Sequence, residues 1–157
     1  MADHRATIRW ETDGGDFRRR QYSRKHTWSF DGGLTVPGSS SPSVVRVPYS
    51  DPAAVDPEEA FVAALASCHM MTFLHVASQA GFVVTRYEDE AVGHMTKNEH
   101  GVPWVSTTVL SPRITYAGTP PSDDEEDALH HRAHEECFIS QSVKTAVTTL
   151  PARERRG

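Results

Sequence analysis

Cys68 and Cys137 are the only two cysteines in the chain, and two thiols that meet have the parts of a peroxide-reducing cycle. One thiolate attacks the O–O bond and becomes a sulfenic acid, which the second thiol captures as a disulfide. Nothing in their spacing alone says that they meet. The attack needs a lowered thiol pKa, hence a positive charge near one sulfur. Arg24 and Arg46 are the candidates. Glu58 supplies the other half, because a carboxylate opposite an arginine holds the guanidinium in a bidentate pose, aimed at the sulfur and at the departing hydroxyl of the peroxide. Glu58 and Cys68 lie ten residues apart, which a straight helix would stretch to roughly 15 Å. The carboxylate must therefore act through a kink, through the intervening arginine, or from the other subunit of a dimer.

Other readings of the same residues stay open. Two cysteines in a reducing compartment are not a stapled scaffold, and their bland role is as small buried hydrophobes. Cys68 followed by His69, with His134 three residues before Cys137, also reads as a zinc set. Against it, the close Cys-x-x-Cys pairing is missing and adjacent helical residues point in different directions. The peroxide cycle calls for neither a metal nor a cofactor. His94, His100, His130 and His131 read as surface residues, and His75 as a core or interface residue. From other classes come a non-enzymatic small-molecule or lipid binder, with the cysteines as passive lining, and a redox sensor whose disulfide a partner protein reads. The binder tolerates Cys137→Ser and consumes no peroxide; the sensor oxidises slowly without turnover.

The elements that must position these residues form an α+β pattern. Ala6 to Trp10 alternates as a strand, and Asp13-Gly14-Gly15-Asp16 turns the chain. In the next extended stretch Tyr22, Arg24, His26, Trp28 and Phe30 share one face at period two, which places a guanidinium among aromatic rings. Asp31-Gly32-Gly33 is a turn, and Pro37 to Pro57 reads as an irregular loop. Asp56 caps a helix with Pro57 at its first position, and the helix runs to about Ala80, stopped by Gly81. It is apolar on nearly every side, so it is surrounded by protein, part of it from a second subunit. Its Phe61, Leu65, Met70, Phe73 and Leu74 serve as core or as the lining of a pocket for alkyl groups. Extended stretches at Val83 to Thr96 and Val102 to Tyr116 flank a hairpin connection from Lys97 to Gly101. Ser122 and Glu125 form a capping box for a second helix reaching about Cys137, whose acidic run Asp123 to Asp127 reads as a solvated first turn. A short helical turn near Ser140 to Lys144 and a strand near Ala146 to Leu150 complete one domain spanning 1–157, with 1–5 and 152–157 as tails.

Composition narrows the function classes. The 157 residues are 38% hydrophobic and 24% charged, suited to one core, and the net charge of -5 argues against nucleic acid as a partner. Arg18-Arg19-Arg20 reads as a solvated loop face. The polar N-terminus carries no apolar signal region, and the run Phe61 to Val76 is interrupted and shorter than the roughly 20 residues of a membrane span. The expected setting is the cytoplasm, with no membrane partner.

Two segments carry a resemblance. Asp56 to Met70, Asp-Pro-Glu-Glu-Ala-Phe-Val-Ala-Ala-Leu-Ala-Ser-Cys-His-Met, resembles the central-helix motif of the OsmC/Ohr family, the osmotically inducible and organic hydroperoxide resistance proteins. Ala133 to Lys144, Ala-His-Glu-Glu-Cys-Phe-Ile-Ser-Gln-Ser-Val-Lys, is similar to that family's second cysteine motif. The resemblance covers nearly the whole chain. It implies antiparallel sheets packed around a long buried central helix in an intertwined homodimer, and thiol-dependent reduction of organic hydroperoxides at the subunit interface. By motif match Cys68 would be the peroxidatic cysteine, Cys137 the resolving cysteine and Glu58 the family's glutamate. Arg24 matches the arginine of the Ohr branch and Arg46 better suits that of the OsmC branch; its aromatic setting favours Arg24. The Ohr branch also implies a dithiol reductant such as a lipoyl protein. His69 and Phe138 depart from the better-known branches, which often carry an aromatic residue and a proline there, so the chain fits a third, less characterised branch.

Overall fold

The computed structural model describes residues 1–153. The chain divides into two compact units, Met1–Ala60 and the stretch from Phe61 onward.

The first unit is a three-stranded antiparallel sheet of β1 (Ala6–Arg9), β2 (His26–Phe30) and β3 (Thr35–Gly38), in that order, with Ile8 opposite Trp28 and Trp28 opposite Val36. Two expectations are corrected here. The strand expected from Tyr22 begins only at His26, so Tyr22 and Arg24 sit on the approach to β2. The expected irregular loop starts as a strand, because a proline is tolerated on an edge where no neighbour needs its missing N–H. Pro37 faces Thr27 in the register, and its carbonyl accepts the Val55 N–H at 3.1 Å. The rest of the loop is pinned by its own polar groups. The Asp51 N–H donates to Ser39 Oγ (2.9 Å) and the Arg24 N–H to the Tyr49 carbonyl (2.8 Å).

Helix α1 (Pro57–Gln79) starts where the sequence places it. The Glu59 N–H donates to Asp56 Oδ1 (2.8 Å) and the Asp56 N–H to Glu59 Oε2 (3.2 Å), a capping box with proline at the first helical position. It ends in a Schellman turn, with Gly81 at φ 87°, the Gly81 N–H on the Ser78 carbonyl and the Phe82 N–H on that of Ala77, both at 3.0 Å. Within one chain only one stripe of α1 is buried, comprising Leu65, Cys68, His69, Phe73, Val76 and Ala77, while Met71 and Leu74 are exposed. Helix α1 also proves long and apolar enough, by length and composition, to cross a membrane, which the interrupted run did not suggest. Its buried stripe instead packs on protein.

In the second unit the two long extended stretches break into four strands at corners after Asp89 and Leu110. Strand β4 (Val83–Asp89) pairs with β7 (Pro112–Ala117), and β5 (Val92–Lys97) pairs with β6 (Pro103–Leu110), both antiparallel. The corners face each other, the Ser111 N–H donating to Asp89 Oδ1 at 2.6 Å. The β5–β6 hairpin turns on Asn98, whose side-chain oxygen accepts the His100 and Val102 N–H groups, and on Gly101 at φ 75°. Helix α2 (Asp123–Glu136) carries the expected Ser122–Glu125 capping box. A 3-10 turn, Ser140–Ser142, then leads to β8 (Ala146–Thr149), which joins β6 in parallel, where antiparallel sheets were implied. The core is an apolar cluster of Phe73, Val76 and Ala77 from α1 with Leu129 and Ala133 from α2, flanked by Phe82, Val84, Tyr87 and Ile114.

The chain end corrects two further readings. Ala152 and Arg153 are not a free tail, since the Ala152 N–H donates to the Pro112 carbonyl at 2.9 Å. The Arg153 guanidinium meets Glu126 at 3.2 Å, Asp123 at 3.7 Å, and Asp127. The rest of the expected tail, 154–157, lies outside the described residues. The first turn of α2 is correspondingly not all solvated, because Glu126 is buried and also accepts the Tyr116 hydroxyl at 2.9 Å. Arg153→Ala should lower stability by about 1–3 kcal/mol in urea unfolding, by leaving that carboxylate short of its cation. An unchanged midpoint would show that water replaces the guanidinium without cost.

Candidate functional site

The second unit brings the two thiols together. Cys68 lies mid-way along α1 on its buried stripe, and Cys137 is the residue at which α2 ends, its backbone already extended at φ -75° and ψ 112°. Packing of the α1 and α2 core residues brings Cys137 beside Cys68, close enough for one thiol to act on the other. Both are free thiols, Cys68 9% exposed and Cys137 fully buried. The turn after α2 closes over them. The Ile139 and Phe138 N–H groups point at the Cys68 sulfur, and the Ser140 N–H donates to Cys137 Sγ at 3.5 Å. Burial, then the hydrogen bond with Cys137, pushes the Cys68 thiol up from its ordinary value, and the two amides oppose this only in part. Among the described residues no cation contributes to that balance, so the lowered thiol pKa that the chemistry calls for is not supplied by these surroundings.

The other expected site residues belong to the first unit. Arg24 is half-buried, with its guanidinium carbon 3.7 Å from the centroid of the Tyr22 ring. Its Nη1 donates to the Arg20 carbonyl (3.0 Å) and to the Tyr22 carbonyl (2.5 Å). Arg20 presents its carbonyl from a left-handed backbone, φ 61°. Tyr22 also stacks on Phe17 (4.6 Å) and meets Trp10 edge-on (5.6 Å), so Arg24 lines an aromatic cavity of about 400 Å³ together with Trp10, Phe17, Tyr22 and His26. Period-two reading found Tyr22 and His26; Trp10 and Phe17 arrive from a strand and a turn whose approach no local pattern announces. On its other side Arg24 joins Arg19, Arg20 and Arg46 around a second cavity of about 370 Å³. Arg46 lies 6.0 Å from the Tyr49 ring centroid, and among the described residues neither Arg24 nor Arg46 forms an ion pair. Glu58 is half-buried and, among the described residues, carries no hydrogen bond or ion pair, because the cap of α1 uses Glu59. The expected bidentate pairing of Glu58 with an arginine is thus not formed within the first unit.

The profile of OsmC-like proteins matches residues 50–150. The chain belongs to the OsmC-like family. A solved OsmC-like protein of unknown function from Vibrio cholerae is similar at 48% identity, with 96% of this chain and 99% of that one covered and a TM-score of 0.92. An organic hydroperoxide resistance protein from Elizabethkingia anophelis shares the fold at 16% identity, 98% coverage of both chains and a TM-score of 0.75. The organic hydroperoxide resistance protein OhrB of Bacillus subtilis does so at 18% identity, covering 96% of this chain and 98% of that one, with a TM-score of 0.67. No curated protein matches significantly.

Beside its thiols this OsmC-like protein has a histidine cluster that the sequence did not reveal. His130, read as a surface residue, is 4% exposed, and His69 is fully buried. They hydrogen-bond across α1 and α2, His69 Nε2 to His130 Nδ1 at 3.0 Å, with their rings stacked 5.3 Å apart. The reason lies in α2, whose polar, histidine-rich sequence hides which face turns inward until the i, i+4 positions of Leu129 and Ala133 are fixed against α1. His75, read as core or interface, is exposed in the single chain and bonds Gln79 at 3.1 Å. Among the described residues no group of three or more His, Cys, Asp or Glu side chains has the geometry to hold a metal ion; His69 turns to His130 while Cys68 turns to Cys137. Burial, with the positive potential of His134, lowers His69 to about 4. Burial, then His69 and Arg153, lower His130 to about 3 against a small opposing pull from Asp127.

Arg24 is held by a chain of donors. Trp28 Nε1 donates to His26 Nε2 at 2.6 Å, so the His26 proton sits on Nδ1 and is donated to the Arg24 carbonyl at 2.7 Å. Gly38 leaves the room, since a Cβ there would lie 2.5 Å from Trp28 Nε1 and 2.6 Å from His26 Nε2.

Gly38→Ala should therefore break this chain and cost about 1–3 kcal/mol by overpacking, seen as a lower thermal midpoint with a shifted tryptophan emission; parent-like values for both would show that the rings yield freely. The histidines set an acid limit. Their folded values, about 4 and about 3, lie below the ordinary 6.5, so the unfolded chain binds the extra protons. Their contribution is complete above pH 6.5 and is lost as pH falls toward 4 and then 3. Stability between pH 7 and 4 should fall more steeply in the parent than in a His69→Phe, His130→Phe double variant, and equal slopes would assign the acid limit to other groups.

Proposed function

We propose that this OsmC-like protein is a thiol peroxidase that reduces organic hydroperoxides. The observation that carries the reading is the meeting of two buried free thiols, Cys68 and Cys137, from separate helices. The fold it shares with organic hydroperoxide resistance proteins supports it. In the proposed cycle the Cys68 thiolate attacks the distal peroxide oxygen, giving Cys68 sulfenic acid and, with one proton, the alcohol. The Cys137 thiol then displaces water from the sulfenic acid and forms the disulfide, and a dithiol such as protein-bound dihydrolipoamide reduces it back to two thiols.

Burial that raises the Cys68 thiol makes a cation necessary for this chemistry. We assign that role to Arg24, already ordered by Tyr22 and two carbonyls and, among the described residues, unpaired with a carboxylate, with Glu58 as its orienting partner in the working assembly. That assembly is a homodimer acting in the cytoplasm, and the exposed apolar side chains of α1, Met71 and Leu74, are what a second copy would cover. The raised thiol also favours a second reading, a redox sensor that oxidises slowly and signals through the same disulfide.

One equivalent of cumene hydroperoxide should remove both thiols of the reduced protein rapidly, with an intact-mass loss of two hydrogens. Cys68→Ser should abolish the reaction, and Cys137→Ser should stop at a sulfenic acid that overoxidises. Arg24→Ala should move the pH profile of Cys68 alkylation upward; a shift in Arg46→Ala instead would transfer the role to Arg46. Two thiols still free after peroxide would refute the peroxidase, and oxidation over hours without turnover would select the sensor.

A further inference from the structure

We infer that the His69–His130 hydrogen bond is the device that sets Cys137 against Cys68, a positioning pair for disulfide closure. The inference rests on the peroxidase reading only for the use to which the disulfide is put.

The apolar seam between α1 and α2 packs Phe73, Val76 and Ala77 with Leu129 and Ala133, and on α1 it begins only at Phe73, five residues after Cys68. Beside that seam His69 and His130 make a polar contact between the two helices. An apolar contact holds two helices together without fixing how far one slides along the other, whereas a hydrogen bond of 3.0 Å between rings tilted by only 10° fixes both distance and direction. The leverage is direct. His69 is the residue after Cys68, and His130 precedes Cys137 by two turns of α2. Phe73 stacks on His130 at 4.3 Å and holds its ring in the bonding orientation.

The pair is costly for anything but position. His69 Nδ1 and His130 Nε2 are buried with no partner, as is Nδ1 of His134 one turn before Cys137. Two apolar residues would fill the same space without desolvating those nitrogens. Arg132 ties α2 to Gln79 at the far end of α1 at 2.6 Å; what two apolar residues could not do is specify the register beside the thiols, and register there is what a disulfide demands, because its sulfurs must come within bonding distance at a defined dihedral angle. Low folded values keep both rings neutral, so the bond persists throughout the neutral range.

The test is the equilibrium of the reduced full-length protein with mixtures of oxidised and reduced glutathione. Oxidised glutathione takes two electrons from the thiol pair, leaves as two reduced molecules, and the Cys68–Cys137 bond is read by mass after acid quenching. His130→Phe and His69→Phe keep the ring and the packing but remove the bond. Each should lower the effective concentration of one thiol toward the other by about tenfold, the equivalent of one net hydrogen bond. His130→Asn, whose amide nitrogen can stand near the Nδ1 position, should recover most of that loss, which a role in core packing alone would not produce. Thermal unfolding in parallel confirms that each variant is folded, and His130→Asn serves where a phenylalanine variant is not. A parent-like equilibrium in folded phenylalanine variants, an asparagine variant no better than phenylalanine, or a parent that forms no intramolecular disulfide at any ratio would overturn the inference. Inertness toward cumene hydroperoxide would instead refute the peroxidase reading and leave the glutathione result standing.

Discussion

The packing of α2 on α1 is the constraint on which the thiol site depends. Two helices far apart in sequence are joined by five apolar side chains, one imidazole pair and the hydrogen bond of Arg132 to Gln79, and that seam decides whether two cysteines are neighbours or strangers. The β4–β7 sheet supports it through Val84, Tyr87 and Ile114, and the Arg153 clamp secures the first turn of α2 from the other end. These supports converge on a short stretch of backbone from Ala133 to Ser140, where a helix ends, a thiol is buried and three amides turn toward sulfur.

Each unit offers its own environment. Burial favours the neutral form of the Cys68 thiol, while Arg24 sits among aromatic rings and backbone carbonyls that keep its guanidinium ordered without neutralising it. A buried thiol far from a cation reacts slowly with stray oxidants, and one brought to a cation reacts readily. The division of labour at the start of α1 follows the same logic, with Glu59 committed to the helix cap and Glu58 left unengaged.

Much of this was legible in the sequence because it rests on local rules. The caps at Asp56 and Ser122, the stop at Gly81, the hairpin turn at Gly101 and the last strand each depend on a few adjacent residues, and each stands where those residues put it. The two cysteine motifs that carry the family resemblance are local in the same sense. What was not legible depends on distant partners. Pro37 in β3 is allowed only because its strand is an edge, the corner at Ser111 exists because Asp89 waits for its N–H, and Arg153 is held against α2 because acids of that helix face it. His130 is the sharpest case. In a segment reading His-His-Arg-Ala-His nothing local distinguishes the buried imidazole from the exposed one beside it, and the choice is made by the rotation of α2 on α1.

The parallel pairing of β8 with β6 bears on the order in which the protein is built. Parallel neighbours require a crossover, and here the crossover contains β7, α2 and Cys137. The ribosome releases α1 long before it releases the strand that completes this sheet, and the contacts that close the thiol site span much of the chain. Through that interval Cys68 is present in a nascent polypeptide without the thiol that faces it in the finished protein. A sulfenic acid formed then lacks its intramolecular partner and is more open to the irreversible steps of sulfur oxidation. Topology thus gives the protein a window of vulnerability during synthesis that closes when α2 docks on α1.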